Sequence, residues 1–315
     1  RLAALTAGLD EMIPAVTLDL QCGSALESIT AAAAKIESGL ADLVIAGGFE
    51  SSSTQPVRMW NSNHPDYQEG KSYTVAKFIP DIQGEQVMLE GAEKTALTEN
   101  VTKAEMDSWV LLSHKRAAQA AKEGILSDIQ LSIADSKKDE GIRPSMSQRL
   151  LDRLPCLLPG GSIITAANAC LMHDGAAFVV LCSEAYRKKH GLTPQAAFRF
   201  GTAIGSDPFM SPKTAVLAIR KLLKQTALSI DEIHSLEVNE AFAVIDVLLE
   251  REFPGIRERL NPLGGALAYG HPYGASGAII LLHLLKDLEL NQGRFGICGV
   301  AAAGGIGTTL LVEKV

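Results

Sequence analysis

The sequence predicts an α/β protein built from two related halves. Its 315 residues are 47% hydrophobic and only 5% aromatic, with 28 glycines, a composition typical of a tightly packed α/β protein. Short apolar runs alternate with helical patterns along most of the chain. Each half contains a sharp turn that opens a buried helix, then a strand that ends in paired glycines, and then a final strand. The length suits one large domain or two of ordinary size.

The first half begins with residues 2–8, which have the pattern of a helix end. Residues 16–21 alternate apolar and polar side chains and predict a strand. Cys22 follows directly, and a helical stripe of Leu and Ala then continues to Gly39, a plausible C-cap. We therefore expect Cys22 at a strand-to-helix elbow.

A strand covered on both faces is predicted at residues 43–46, because all four residues are apolar. The paired glycines at 47–48 then allow a tight turn or the close approach of a ligand. Residues 51–153 are polar and irregular and contain one clear helix, with a capping box at Thr102 and an end at Gly124. Such an excursion indicates an inserted loop domain.

Regular texture resumes with a strand at residues 176–182, and the second half begins after Gly191. Its predicted elements are strands near 197–202 and 236–238, helices at 212–224 and 240–252, a buried helix at 278–285, and a closing β-hairpin at 295–312. The resulting division is a first half at 1–50 and 175–190, a loop domain at 51–174, and a second half at 191–315.

The two halves differ in length at their start. Only 21 residues precede Cys22, whereas the second half has a full strand–helix–strand passage before its own elbow. If the halves are duplicates, an N-terminal βαβ portion of roughly 55 residues is expected to be missing.

Charge and cysteine content narrow the function. A net charge of −7 without a Lys/Arg run argues against nucleic-acid binding. Five scattered cysteines fit a reducing compartment and predict a cytoplasmic location. Cys170 and His173 form one Cys-x-x-His without a second pair, so no metal site is expected. No stretch is long and apolar enough for a transmembrane helix.

Three residues are candidates for catalysis, each with a structural alternative. Cys22 at a helix N-terminus would have its thiolate stabilised by the helix dipole, or it is a buried core cysteine. His271 lies in a Gly/Pro turn, where it could take the thiol proton or serve only the turn. Asn239 follows a strand, where it could hold a water and stabilise an oxyanion or cap the next helix.

Four motifs, taken together and in this order, resemble the thiolase family. They are Cys-Gly-Ser at 22–24, Asn-Glu-Ala-Phe-Ala at 239–243, Gly-His-Pro-Tyr-Gly-Ala-Ser-Gly at 270–277 and Gly-Gly-Ile-Gly at 304–307. Further family-like segments lie at 46–51, 139–144 and 168–175. The resemblance covers essentially the whole chain. It implies a five-layered αβαβα fold of two similar halves with an inserted loop domain.

The resemblance also implies roles for single residues. Cys22 matches the acyl-accepting nucleophile and His271 the base that activates it. Asn239, through a water, matches one oxyanion hole, and the backbone N–H of Cys22 belongs to a second. Arg143 matches the segment that meets the nucleotide end of coenzyme A, and Cys170 lies in the coenzyme A loop. The implied substrate is a coenzyme A thioester with no permanently bound cofactor, and the implied assembly is a homodimer or homotetramer.

Several positions depart from the family pattern. Ala301 stands where the family has a second catalytic cysteine, and its methyl group cannot transfer a proton. Cys298 lies three residues earlier, an odd offset that points to the opposite face of a strand. In the coenzyme A loop, Cys170 replaces a serine, Leu171 a glycine and His173 an asparagine. With these changes we expect a pantetheine tunnel that is narrower than in the family or differently shaped.

The sequence is compatible with three functions. The leading one is a thiolase-like acyltransferase that forms a thioester on Cys22 and is impaired in the carbon–carbon step by Ala301. The second is a condensing enzyme of the same superfamily that uses only cysteine, histidine and asparagine. The third is a non-catalytic subunit that binds coenzyme A or a protein partner.

Overall fold

The computed structural model describes residues 1–80, 82, 84, 86–133 and 138–315. The helices and strands of this part are, in chain order, α1 (Leu2–Thr6), α2 (Ser24–Glu37), β1 (Leu43–Glu50), α3 (Val87–Thr98), α4 (Lys103–Glu123), α5 (Gln148–Leu151), β2 (Gly175–Cys182), α6 (Glu184–His190), β3 (Ala196–Gly205), α7 (Thr214–Thr226), β4 (Ile233–Val238), α8 (Val244–Glu252), α9 (Ala266–Tyr269), α10 (Ser276–Asn291), β5 (Phe295–Ala302) and β6 (Ile306–Lys314).

The named strands form two sheets. Strands β1 and β2 pair antiparallel although residues 51–174 separate them in the chain. The second sheet has the order β3-β6-β5-β4, in which β4 and β5 run parallel and the other neighbours are antiparallel. Strands β5 and β6 form the hairpin that the closing residues predict.

Helices α2 and α10 lie between the two sheets, and their N-termini lie close together. Helix α10 contacts both sheets as well as α2, and α7 covers the opposite face of the second sheet. The buried residues of α10 lie on most of its circumference, as its apolar sequence predicts. Gly277 permits the close approach of the two helices, because a Cβ there would lie 2.7 Å from the backbone nitrogen of Leu26.

The two faces of β5 pack in different apolar clusters. Cys298, Val300 and Ala302 pack between the sheets with α2 and α10. Ile297 and Ala301 belong to the larger cluster on the other face, with α4, α7 and α8. Cys298 and Ala301 therefore point to opposite faces, as their odd offset predicts.

The first sheet corrects two expectations. Strand β1 is not covered on both faces, because Ile45 is 53% exposed and Val180 on β2 is 65% exposed. The glycine pair 47–48 does not end the strand either, since β1 continues to Glu50. The apolar run alone could not tell a strand with one uncovered face from a strand buried on both sides.

The segment between the first two strands contains more helix than the sequence indicates. The expected α4 is present with its capping box at Thr102 and a left-handed Gly124 at its end. Helix α3 and the short α5 were missed, since α3 has no side-chain cap and only a weak apolar stripe. Sequence patterning is weakest for helices of this kind.

Candidate active site

Cys22 lies in a sharp elbow immediately before α2. Gln21 has a left-handed backbone with φ +54°, and the backbone N–H of Gly23 donates to the Leu20 carbonyl at 3.0 Å. A Cβ on Gly23 would lie 2.7 Å from the Thr308 methyl group on β6, so a glycine is needed here. The elbow is as predicted, but the strand expected over residues 16–21 is wrong. In the described chain that segment forms only an isolated bridge between Leu20 and Cys22.

His271 lies beside the Cys22 thiol. Its Nε2 atom is 3.1 Å from the Cys22 sulfur, and its Nδ1 atom is 2.6 Å from the Ser276 hydroxyl at the start of α10. The backbone of His271 is fixed as well, because its N–H donates to the Leu171 carbonyl at 2.8 Å. Residues separated by 249 positions in the chain are thus brought into hydrogen-bond contact.

Asn239 completes the group from the end of β4. Its backbone N–H donates to the Gly299 carbonyl at 3.0 Å, and its Nδ2 atom is 3.3 Å from His271 Nε2. A thiol and an amide N–H are both donors, so Nε2 is the acceptor and Nδ1 carries the proton toward Ser276. This tautomer leaves the imidazole ready to take the thiol proton.

Burial decides the charge state of the pair. It raises the pKa of the Cys22 thiol to about 12, although the backbone N–H groups of Ala303 and Cys22 partly oppose the rise. Burial also lowers the pKa of His271 to about 4. At neutral pH the pair is therefore a neutral thiol and a neutral imidazole.

This result corrects the expectation of a stabilised thiolate at the helix N-terminus. A helix N-terminus contributes about 0.3–1 kcal/mol to a nearby anion, which is less than one pKa unit. Full burial shifts a pKa by as much as roughly 3–5 units in the opposite direction. Because Cys22 is only 7% exposed, burial outweighs the helix dipole.

The glycine pair of β1 brings the first sheet against the His271 loop. A Cβ on Gly48 would lie 2.0 Å from the Gly274 carbonyl oxygen, so the two backbones are in direct contact. The Glu50 carboxylate accepts a hydrogen bond from the Gly274 N–H at 3.2 Å. The glycine pair therefore allows the close approach of another backbone segment, the His271 loop.

The remaining predicted residues lie in different surroundings. Cys170 is partly buried, and its backbone N–H donates to the Ala241 carbonyl at 3.0 Å, close to Asn239. Ala301 is 4% exposed on β5. Arg143 is exposed, and its guanidinium donates to the Glu140 carbonyl at 2.5 Å.

Two functional candidates were missed from the sequence. Ser276 is the hydrogen-bond partner of His271, and its place in the Gly-Ala-Ser-Gly motif after the histidine was an available signal. Tyr273 sets its ring edge-on to the imidazole with centroids 5.0 Å apart, and it has an unusual φ of +23°. Nothing in the residue pattern pointed to the tyrosine.

A buried carboxylate supports the loop behind Asn239. Glu240 accepts hydrogen bonds from Ser113 at 2.7 Å, from Asn261 at 2.9 Å and from the backbone of Leu267 at 3.2 Å. These contacts tie the end of β4 to α4 and to α9, which precedes His271.

The described ranges contain neither a metal-binding cluster nor a membrane span. No group of three or more His, Cys, Asp or Glu side chains there could hold a metal ion. No helix in the same part of the chain is long and apolar enough to cross a membrane.

Comparison with known proteins identifies relatives along the whole chain. Residues 1–185 match the family model for the N-terminal domain of thiolase, and residues 192–314 match that for the C-terminal domain. A steroid 3-ketoacyl-CoA thiolase of Mycobacterium tuberculosis is 34% identical over 100% of this chain and 78% of its own length. A beta-ketoadipyl-CoA thiolase of Escherichia coli is 33% identical over 100% of this chain and 83% of the relative.

Solved structures agree with the sequence matches. The acetyl-CoA acetyltransferase of Bacillus anthracis superposes with a TM-score of 0.91 at 32% identity, covering 100% of this chain and 82% of that structure. Human mitochondrial 3-ketoacyl-CoA thiolase in complex with CoA gives 0.91 at 30% identity, covering 100% of this chain and 81% of that structure. The expected thiolase fold is confirmed. With both domain models matched and the same fold throughout, this chain belongs to the thiolase family of acyltransferases.

Proposed function

We propose that this protein transfers acyl groups between coenzyme A thioesters through a covalent thioester on Cys22. The observation that carries the proposal is the 3.1 Å contact between His271 Nε2 and the Cys22 sulfur, with the Asn239 amide 3.3 Å from the same nitrogen. A relative solved in complex with CoA supports the substrate class.

The neutral pair favours a concerted first step. His271 takes the proton as the Cys22 sulfur attacks the thioester carbonyl, so neither charge has to exist alone in the buried site. The imidazolium then returns the proton to the leaving coenzyme A thiolate. Ser276 holds Nδ1 in place and keeps Nε2 directed at the sulfur.

Backbone and amide donors are suited to the oxyanions of the two half-reactions. The backbone N–H groups of Cys22 and Ala303 interact with the sulfur and partly oppose the rise of its pKa. They can also stabilise an oxyanion on an acyl group bound there. Asn239 would supply the second donor site through a water. Its buried Oδ1 has no hydrogen-bond partner among the described protein groups and can accept from that water.

Arg143 is proposed to contact the nucleotide end of coenzyme A. Its guanidinium is exposed, and its backbone N–H donates to His114 Nδ1 at 3.1 Å, which fixes this segment on α4. Arg143→Ala should raise the KM for coenzyme A without changing acylation at saturation. Arg149→Ala is the control, because Arg149 is likewise exposed on a nearby short helix.

The test of the main proposal is intact-mass analysis after incubation with acetyl-CoA. We expect one added acetyl group, mapped by peptide analysis to Cys22, and none in Cys22→Ser. Cys156→Ala is a matched control and should acetylate as the wild type does. A wild-type protein that takes up no acetyl group refutes the acyltransferase proposal.

Ala301 supports a second candidate within the same superfamily. A condensing enzyme that obtains its carbanion by decarboxylation needs no second acid–base cysteine. Product analysis with acetyl-CoA alone and with a malonyl thioester separates the two functions. Carbon–carbon bond formation only with the malonyl thioester would favour this second candidate.

A homo-oligomer is proposed from the uncovered face of the first sheet. Large apolar side chains are exposed there, and such patches mark interaction surfaces; they are Leu43, Ile45, Phe49, Phe178 and Val180. Light scattering coupled to size exclusion should give the mass of a dimer or tetramer. A single-chain mass would contradict this expectation.

A further inference from the structure

A second cysteine, Cys170, is joined through backbone contacts to the segments of the proposed acyl-transfer site. The backbone of Cys170 is hydrogen-bonded to Ala241, two residues after Asn239, and its neighbour Ala169 bridges to Phe242. On its other side, the carbonyl of Leu171 accepts from the His271 N–H at 2.8 Å. Cys170 is therefore held between the two segments that carry Asn239 and His271.

The electrostatics of the site agree with these backbone contacts. A thiolate on Cys22 raises the pKa of Cys170, whose burial is the larger cause of the shift. Burial raises the pKa of Tyr273, and charges on Cys170 and Cys22 raise it further. These mutual effects are consistent with the position of Cys170 beside the segments that carry Asn239 and His271.

Cys170 packs on the cluster that contains Ala301. This cluster on the outer face of β5 includes Ala169, Phe242 and Ala301, and the partly buried Cys170 packs against it. Ala301 leaves that position without a group that can carry a proton. Cys170, which packs against the same cluster, carries a thiol that can do so.

The other buried thiol does not fit this role. Cys298 is 0% exposed and belongs to the cluster between the sheets. It pairs with Glu237 on β4 and lies on the face of β5 opposite to Ala301. A bound substrate could not reach it without opening the core. Cys170, by contrast, is partly exposed.

We propose that Cys170 is the second acid–base residue of this enzyme and performs the proton transfer at the α-carbon of the substrate. The inference rests on the proposed function. It assigns to a residue of the coenzyme A loop the role that Ala301 cannot fill.

In the cleavage of a 3-ketoacyl-CoA, each proton and electron pair has a donor and an acceptor. Cys22 adds to the β-carbonyl carbon of a 3-ketoacyl-CoA while His271 takes its proton. The bond between the α- and β-carbons then breaks, and its electron pair moves to the α-carbon, which takes the proton of the Cys170 thiol. The second coenzyme A gives its thiol proton to the Cys170 thiolate as it attacks the acyl group. Cys22 leaves as a thiolate and recovers its proton from His271.

The test separates proton transfer at carbon from acylation of Cys22. Exchange of the methyl hydrogens of acetyl-CoA with deuterium from D₂O reports the first, and intact mass after acetyl-CoA reports the second. For Cys170→Ala we expect full acetylation of Cys22 and a fall of about 10²–10⁴-fold in both exchange and thiolysis. Cys170→Ser should behave in the same way, because a hydroxyl fits the space but is far too weak an acid. Cys156→Ala should match the wild type.

A rescue variant strengthens the test. In Cys170→Ala combined with Ala301→Cys, a thiol returns to the same cluster from β5, and exchange should recover. Wild-type exchange in both Cys170 variants would overturn the proposal, and so would a wild-type protein that is acetylated but shows no exchange. A failure of the proposed function is distinct, because Cys22 would then carry no acetyl group in any variant.

Discussion

Burial by elements from both ends of the chain favours the neutral thiol of Cys22. Burial raises the pKa of the thiol from 9.0 to about 12. This shift of about three units corresponds to roughly 4 kcal/mol against the thiolate. At pH 7 only about one Cys22 thiol in 10⁵ would then be ionised. The helix N-terminus contributes at most about 1 kcal/mol and cannot reverse the sign.

The assay is an ultraviolet titration of thiolate absorbance, wild type minus Cys22→Ser. We expect no ionisation of Cys22 below about pH 9. The rate of acylation by acetyl-CoA should rise as His271 loses its proton near pH 4 and remain level across neutral pH, because only the neutral imidazole accepts the thiol proton. A Cys22 ionisation step between about pH 4 and 7 would show an ion pair and refute the reasoning.

Three further predictions follow from buried contacts. Ser276→Ala removes the 2.6 Å partner of His271 and should slow acylation about 10-fold, as the loss of a buried hydrogen bond implies; an unchanged single-turnover rate would contradict this. Burial raises the pKa of Glu237, whose two carboxylate oxygens have no hydrogen-bond partner among the described residues, so folding stability is lost as the pH rises above the usual pKa of a glutamate. Glu237→Gln should therefore gain stability relative to the wild type in urea unfolding as the pH rises above the usual pKa of a glutamate, and a pH-independent difference would argue against it. Gly48→Ala places a Cβ 2.0 Å from a backbone carbonyl and should cost about 1–3 kcal/mol or more in urea unfolding, whereas Gly205→Ala meets nothing within 4 Å and should be nearly neutral.

The sequence predicts those elements correctly whose conformation depends on a few neighbouring residues. The capping box at Thr102 and the glycine at 124 delimit α4 as predicted, because caps act over a few neighbouring residues. The elbow at Cys22 and the final hairpin were likewise predictable, since turns and alternation are short-range signals.

Tertiary contacts decide what the sequence could not show. The alternating residues 16–21 form no named strand, because pairing requires a neighbouring strand. The pKa of Cys22 depends on burial by elements from both ends of the chain, which outweighs the local helix dipole. The place of Cys170 beside the site follows from its backbone contacts with two distant segments.

The central claim is that His271 and Cys22 act as one unit in acyl transfer. Its most direct test is the single-turnover rate of Cys22 acetylation by acetyl-CoA, in the wild type and in His271→Asn. Loss of the base should slow acetylation by about 10²–10⁴-fold at neutral pH while the fold is retained. Equal rates in the two proteins would mean that the 3.1 Å contact has no role in the chemistry.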